Sequence, residues 1–387
     1  MVPNGWSIKT LENLATVERG KFSARPRNDP KYYGGEIPFV QTGDIASAKT
    51  YLSSFSQTLN EDGLKVSRIF PKNSILITIA ANIGDTAITS FDVACPDSLV
   101  GIQPKQDVDC FWLNSFLETR KDDLDGKATQ NAQKNINLQV LKPLEILTPP
   151  YEEQRKIANI LSTWDKAIAT TEKLIETSKQ QKKALMQQLL TGKKRLVNPE
   201  TGKAFEGDWR KVELGKLLDY KQPTPYLVKS TEYSNEYPTP VLTAGKTFIL
   251  GYSDEDFGIF REELPAIIFD DFTTASKFVD FPFKAKSSAM KILIAKDGVS
   301  IKYVYEAMQI LNYPIGGHQR HWISIFANLV IGLPKPEEQQ KIASVLTAAD
   351  KEIDVFEVKL AHFKQEKKAL MQQLLTGKRR VKVAETE

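Results

Sequence analysis

Lys182-Lys183-Ala184-Leu185-Met186-Gln187-Gln188-Leu189-Leu190-Thr191-Gly192-Lys193 returns letter for letter as Lys367 to Lys378. The identity belongs to a longer match: Pro149 to Arg195 aligns without a gap on Pro334 to Arg380, at a constant offset of 185, with about 27 of 47 positions identical. The chain is therefore an internal duplication. A fainter match lies upstream, where Trp6, Leu11 and Leu14 align with Trp209, Leu214 and Leu217 at an offset of 203. The stretch between the two matches is thus 18 residues longer in the first half, and no alignment is evident within it. The order is variable, constant, variable, constant.

Each constant segment carries a start and a stop. A proline-containing turn leads into Glu152-Glu153-Gln154 and into Glu337-Glu338-Gln339, which places carboxylates on the positive end of a helix. Each segment closes at Thr-Gly (Thr191-Gly192; Thr376-Gly377), where glycine suits a left-handed cap. A helix of about 39 residues would be ~58 Å long, too long to hide in one small domain. Heptad positions in the first copy are Ile157, Trp164, Thr171, Ser178 and Leu185 with Leu161, Ile168, Ile175, Lys182 and Leu189. The same register in the second gives Ile342, Ala349, Phe356, Phe363 and Leu370 with Leu346, Ile353, Leu360, Lys367 and Leu374. Matching narrow seams predict two helices packed as a coiled coil. With a globular domain inserted between them in one chain, the natural arrangement is antiparallel, with the two inserted domains at opposite ends and an approximate twofold relation.

The seam itself reads as bracing. The outward faces read differently, because Lys183, Gln187 and Gln188 recur at polar positions that packing alone would not hold equal. Two copies of one surface predict two copies of one partner. The basic clusters Lys193-Lys194-Arg195 and Lys378-Arg379-Arg380 read first as cations complementing helix C-termini, with phosphate contact as the other reading.

The bulk numbers agree with more than one core. The chain has 387 residues, of which 41% are hydrophobic, enough for two or three domains. The repeat divides it into 1–150, 151–195, 196–335 and 336–387. No run approaches the ~18 apolar residues that would cross a bilayer, and Met1 to Trp6 lacks the charged-then-apolar pattern of a secretory signal, so the expected location is the cytoplasm. The two cysteines, Cys95 and Cys110, are too few for a disulfide framework and do not stand at zinc-ligand spacing with His318, His321 or His362; they read as reduced packing residues, and no metal site is expected. A net charge of +4, from 52 basic and 48 acidic residues, permits an acidic polymer as partner without requiring one.

The variable regions mix β-type runs, Ile75 to Ile79 and Ala266 to Phe269, with helical pieces near Phe111 to Glu118 and Ile301 to Leu311, so both read as α+β. Ile37 to Ile45 reads as a strand running into a polar turn, with Tyr237 to Lys246 as its counterpart. Loops rich in amide and basic side chains follow, Ala128 to Asn135 in the first region and Gly316 to Trp322 in the second. Gln and Asn pair with adenine edges and Arg with guanine, while Lys holds phosphate. A solvated turn is the plainer reading of either loop alone; their corresponding places favour DNA contact. The candidate DNA-contacting residues are Lys21, Arg25, Gln41, Thr42, Gln133, Lys134, Asn135, Thr243, Lys246, Thr273, Thr274, Lys277, His318, Gln319 and Arg320.

Three enzyme-like fragments fail. Thr148-Pro149-Pro150-Tyr151 imitates a methyltransferase motif but lacks its leading Asn or Asp and opens a helix. Gly245-Lys246-Thr247 imitates a phosphate-binding loop, yet Pro240 stands where its first glycine would be. Asp270-Asp271 with Lys277 lacks the further carboxylate of a nuclease. No catalysis by this chain alone is expected.

A Pro-x-x-Glu-Gln-x-x-Ile helix entry ending in Leu-Leu-Thr-Gly-Lys, twice, behind regions opening with Trp-x4-Leu, resembles the specificity subunit of type I restriction-modification enzymes over essentially the whole chain. Phe269-Asp270-Asp271-Phe272-Thr273-Thr274 and Phe283 to Met290 also resemble recognition domains of that family. The resemblance implies two α+β target recognition domains, separated by two long antiparallel coiled-coil helices, that read the halves of a split, asymmetric site on double-stranded DNA. It implies two docked modification subunits carrying S-adenosylmethionine, motor-nuclease subunits using ATP and Mg, no cofactor on this chain and no membrane. A protein scaffold without DNA and a stand-alone DNA-binding regulator are the competing readings.

Overall fold

The computed structural model describes residues 2–128, 135–243, 245, 247–312 and 321–382. The chain divides into two compact units: a first, Met1–Glu172 with Val358–Glu387, and a second, Lys173–Glu357. Four helices longer than six residues occur among the described residues: α1 (Cys110–Glu118), α2 (Tyr151–Leu189), α3 (Ile301–Gln309) and α4 (Pro336–Leu374).

The first unit has strands β1 (Ser7–Thr10), β2 (Ala15–Arg19), β3 (Tyr33–Phe39), β4 (Tyr51–Leu52), β5 (Gln57–Leu59), β6 (Ile69–Phe70), β7 (Ile75–Thr78), β8 (Thr86–Thr89), β9 (Val93–Ala94), β10 (Leu99–Pro104) and β11 (Glu145–Thr148). They form a β1-β11 pair, a β2-β10-β7-β8-β4 sheet and a β5-β3-β9-β6 sheet. The second unit has β12 (Arg210–Glu213), β13 (Leu218–Lys221), β14 (Thr239–Leu242), β15 (Ile249–Ser253), β16 (Ala266–Asp270), β17 (Ser276–Val279), β18 (Lys284–Ala285), β19 (Met290–Ala295) and β20 (Val330–Leu333). Its sheets are β12-β20, β13-β19-β16-β17 and β15-β14-β18. The topologies correspond strand for strand, although no sequence alignment joins them; the first unit adds the short strands β4 and β6. In each, a strand (β3 or β14) lies between an antiparallel neighbour (β5 or β15) and a short parallel one (β9 or β18).

Apolar runs mark the central strands. Ile75, Leu76 and Ile77 of β7 and Ala266, Ile267, Ile268 and Phe269 of β16 are fully buried, as strands covered on both faces must be. The core beneath each sheet is completed by the start of one long helix and the end of the other. In the first unit Ile157 and Leu161 meet Leu374 and Leu375; in the second Ile342 and Leu346 meet Leu189 and Leu190. All twenty heptad positions are buried or half-buried. The helices end as glycine predicts, Gly192 at φ 72° and Gly377 at φ 68°.

Within each unit the helical segments run antiparallel, and their ion pairs prove to be duplicates. In the first unit Glu153, Asp165 and Glu172 of α2 pair with Arg380, Lys367 and Lys364, at 2.7, 2.5 and 2.9 Å. In the second, Glu338, Asp350 and Glu357 of α4 pair with Arg195, Lys182 and Lys179, at 2.6 Å each. The two lysines that interrupt the apolar heptads, Lys182 and Lys367, are thus neutralised by aspartates.

Two expectations are corrected. The polar stretch after Phe39 is not an open turn but a short helix, Thr42–Ser47, started by a reciprocal Gln41–Asp44 cap. The last arginine of each basic cluster neither caps its own helix nor stands free for phosphate. Arg195 and Arg380 fork onto Glu338 and Glu153, and those carboxylates also accept the indole N–H of Trp209 (3.1 Å) and Trp6 (2.9 Å). A buried carboxylate is held only where donors surround it, and a guanidinium fork plus an indole meet that need.

Candidate nucleic-acid interface

In the first unit the chain leaving β2 carries Lys21 and Arg25 outward while burying Phe22 and Ala24. Phe22 stacks 4.8 Å from Phe39 of β3, so this segment and β3 share a small core. Among the described residues neither Lys21 nor Arg25 has a carboxylate within ion-pair distance, whereas nearby Arg27 and Arg68 are held by Asp97 and Glu18. Gln41, just past β3, is exposed and donates from its side-chain amide to Gln57 at 2.7 Å. Thr42 is half-buried as the first residue of the short helix. Gln133 and Lys134 lie outside the described residues; Asn135 is half-buried and bridges to Ala80.

The second unit places Thr243 directly after β14. Its hydroxyl bonds Thr247 and accepts the N–H of Gly245, so it shapes the β14–β15 turn. Lys246, His318, Gln319 and Arg320 lie outside the described residues. Between β16 and β17 the Asp270 carboxylate accepts the N–H groups of Phe272 and Thr273, at 2.8 and 2.9 Å, and Thr274 sits at φ 62°. Thr273 and Lys277 are exposed; Thr274 is buried, its hydroxyl donating to the Thr273 carbonyl. Lys277 has no carboxylate partner among the described residues. The stretch expected as the loop Gly316 to Trp322 ends in a short helix, His321–Ser324, whose first two residues are buried. There the His321 ring Nδ1 lies 2.8 Å from the Asp271 carbonyl and the backbone N–H of Trp322 donates to the Asp271 carboxylate at 2.9 Å, so this buried pair of residues anchors the β16–β17 turn.

The structure thus gathers Lys21, Arg25 and Gln41 around one small sheet, and Thr273 with Lys277 at one turn. Sequence reasoning missed Gln57, which meets Gln41 only through β3–β5 pairing, and Phe272, exposed at the β16–β17 turn. It also missed Lys286, which rests on the Tyr233 ring with its ammonium 2.9 Å from the hydroxyl. An exposed aromatic beside a polar turn was the only available signal.

A different polar site lies against the helices of the first unit. A cavity of about 880 Å³ is lined by Tyr51, Phe111, Glu118, Asp165, Glu172 and Lys367 among others. Burial pushes the Glu118 carboxyl up to about 7; Lys367 opposes the shift, Asp165 adds to it, and a hydrogen bond from Asn114 opposes it.

The sequence profile described as the type I restriction modification DNA specificity domain matches residues 3–180 and 206–362. The chain belongs to this family. The two matched stretches reproduce the duplication, one per variable region and helix. Among curated members, the type I restriction enzyme EcoR124I/EcoR124II specificity subunit of Escherichia coli is 46% identical over 156 residues, 39% of this chain and 38% of that protein. The putative MjaX specificity subunit of Methanocaldococcus jannaschii is 27% identical over 98% of this chain and 95% of its own. A solved specificity subunit from M. genitalium shares the fold, with a TM-score of 0.66 over 97% of each chain at 16% identity. In this family member the helix entries and exits are the repeated part, and the surfaces carrying Lys21, Gln41, Thr273 and Lys277 are the unlike part.

Proposed function

We propose that this chain is the DNA-reading subunit of a type I restriction-modification complex. Each variable domain reads one half of a split site, and the paired helices set the number of unread base pairs between the halves. The observation that carries this reading is the contrast between the two units: identical sets of ion pairs hold the helices, while the loops beyond β3 and β14 differ in sequence. A complex of identical grips and unlike readers recognises an asymmetric, bipartite target. Exposed Lys21, Arg25 and Lys277, without a carboxylate partner among the described residues, suit phosphate; the exposed amide of Gln41 suits a base edge.

The recurring outward residues Lys183/Lys368, Gln187/Gln372 and Gln188/Gln373 offer the same face twice, to two modification subunits that would supply S-adenosylmethionine and methylate adenine. Motor-nuclease subunits using ATP and Mg would join through them. This chain contributes recognition and no reaction step. Such a complex acts on cellular DNA, which places it in the cytoplasm; no described helix is long and apolar enough to cross a membrane.

The experiment is methylome sequencing of cells that express the chain with a cognate modification subunit. The expected result is adenine methylation in both halves of a gapped, asymmetric motif. Deleting residues 171–177 and 356–362 together removes one heptad from each helix, ~10 Å, and shortens the gap by about three base pairs. An ungapped motif, or a gap unchanged by the paired deletion, overturns the proposal.

A further inference from the structure

Beneath the β16–β17 turn the second unit holds charges where the first holds aliphatic side chains. The equivalence comes from the backbone. The N–H of Ile136 donates to the Ile79 carbonyl at 3.0 Å and that of His321 to the Asp271 carbonyl at 3.1 Å, and 136 and 321 stand at the repeat offset of 185. The N–H groups of Ile79 and Asp271 donate in turn to the carbonyls of Ser98 and Ala289, which share an offset of 191 with Val100 and Lys291 and with the helix caps Asp109 and Ser300. Val100 pairs with Ile77 of β7 as Lys291 pairs with Phe269 of β16. Buried Ile79, Val100 and Ile136 thus correspond to buried Asp271, Lys291 and His321. An aliphatic cluster satisfies this fold, and a buried ion pair stabilises a core no better than aliphatic packing does. The charges therefore point to recognition.

The charged cluster supports one exposed side chain. One Asp271 oxygen accepts the Trp322 N–H at 2.9 Å, the other lies 3.8 Å from the Lys291 ammonium, and that ammonium donates to the Gln222 side-chain oxygen at 3.2 Å. Lysine has donors only, so it fixes which end of the amide faces it. Gln222, exposed directly after β13, keeps its N–H2 group as the free end, and neither N–H finds an acceptor among the described residues. Together with Asp271, Ala289 and Lys291, exposed Gln222, Phe272 and Ser288 line a cavity of about 260 Å³.

We propose that Gln222 is a specificity-determining residue that reads the acceptor edge of a guanine, with Lys291 as its positioning residue. The inference rests on the reading of this chain as a DNA-recognising subunit. Adenine needs an amide that both donates and accepts, and here the amide oxygen is already taken. Guanine offers two adjacent acceptors, N7 and O6, to an amide left with donors alone, whereas thymine offers one acceptor beside a methyl group. The Ser288 hydroxyl on the same cavity is a further donor. A phosphate fits less well, because the Asp271 carboxylate offsets the ammonium charge.

The test is methylome sequencing of cells expressing the intact chain, parent or variant, with its modification subunit. Gln222→Ala truncates an exposed side chain; the preference for guanine at one G·C pair, in one half of the motif, should fall about tenfold or more while the other half and the gap stay as they are. Asp271→Ile combined with Lys291→Val installs the residues that the first unit holds at these places, and the freed amide should then admit adenine at that same position. Should this double variant fail to fold, Lys291→Met carries the same expectation. An unchanged motif in Gln222→Ala, relaxation at an A·T pair, or evenly reduced methylation with every base preference intact overturns the reading of guanine. A position that still excludes adenine once Lys291 is replaced overturns its positioning role. These failures leave a gapped parent motif standing; an ungapped parent motif instead overturns the DNA-reading function, and this inference with it.

Discussion

Glu153 and Glu338 illustrate what one residue's surroundings add to its sequence context. Both stand in the first turn of a helix, where a carboxylate is favoured by the backbone dipole. Neighbouring Glu152 and Glu337 have that role in the open; Glu153 and Glu338 are buried, because an arginine and a tryptophan reach them. Glu338→Gln should cost about 1–3 kcal/mol by weakening charge-assisted bonds and leaving Arg195 unpaired, and Glu153→Gln should cost a similar amount; urea unfolding measures both. Glu118 runs the other way. Its folded-state carboxyl titrates near 7, above the ordinary 4.5, so the stability this group contributes is complete below about pH 4.5 and lost as pH rises through 7. Glu118→Gln should therefore match the parent near pH 4 and exceed it at pH 8 by on the order of 1–3 kcal/mol, seen in paired melting curves. The Glu-Glu-Gln start was legible in the sequence; which carboxylate is buried was not, since its arginine lies 227 residues away.

At the scale of elements, the long helices were almost wholly legible, because their stop glycines and heptads are local signals and the repeat states them twice. The heptads also hold the energy. Leu161 and Leu346 are fully buried at equivalent places, and truncating either to alanine should cost about 2–5 kcal/mol in chemical denaturation, whereas exposed Val358 tolerates Val358→Ala within ~0.5 kcal/mol. Strands were legible where apolar residues run together, as in β7 and β16. The two-residue strands β4, β6, β9 and β18 were not, since a pair of residues carries no periodicity and is a strand only by virtue of its neighbour.

For the molecule, the unequal variable regions make the two halves separable. Replacing residues 209–333 by the corresponding domain of another family member should change one half of the methylated motif and leave the other half and the gap intact. Methylome sequencing checks this, and a change in both halves would show that the domains read as one surface. The correspondence of the two strand orders was invisible in the alignment, because sheet topology survives replacement of every loop and most faces, provided central strands stay apolar.

Alone, the sequence determined the duplication, the two long helices with their ends, and the α+β character of what lies between them. Each of these rests on spacing along one stretch of chain, which a linear pattern records in full. Only the tertiary structure decided that the last arginine of each basic cluster locks onto the opposite helix's buried glutamate, that Gln41 meets Gln57, and that Lys302 and Glu306 close a ring of charges with Lys182 and Asp350. Those outcomes depend on contacts between residues distant in sequence, where charge, burial and geometry are set by the whole fold.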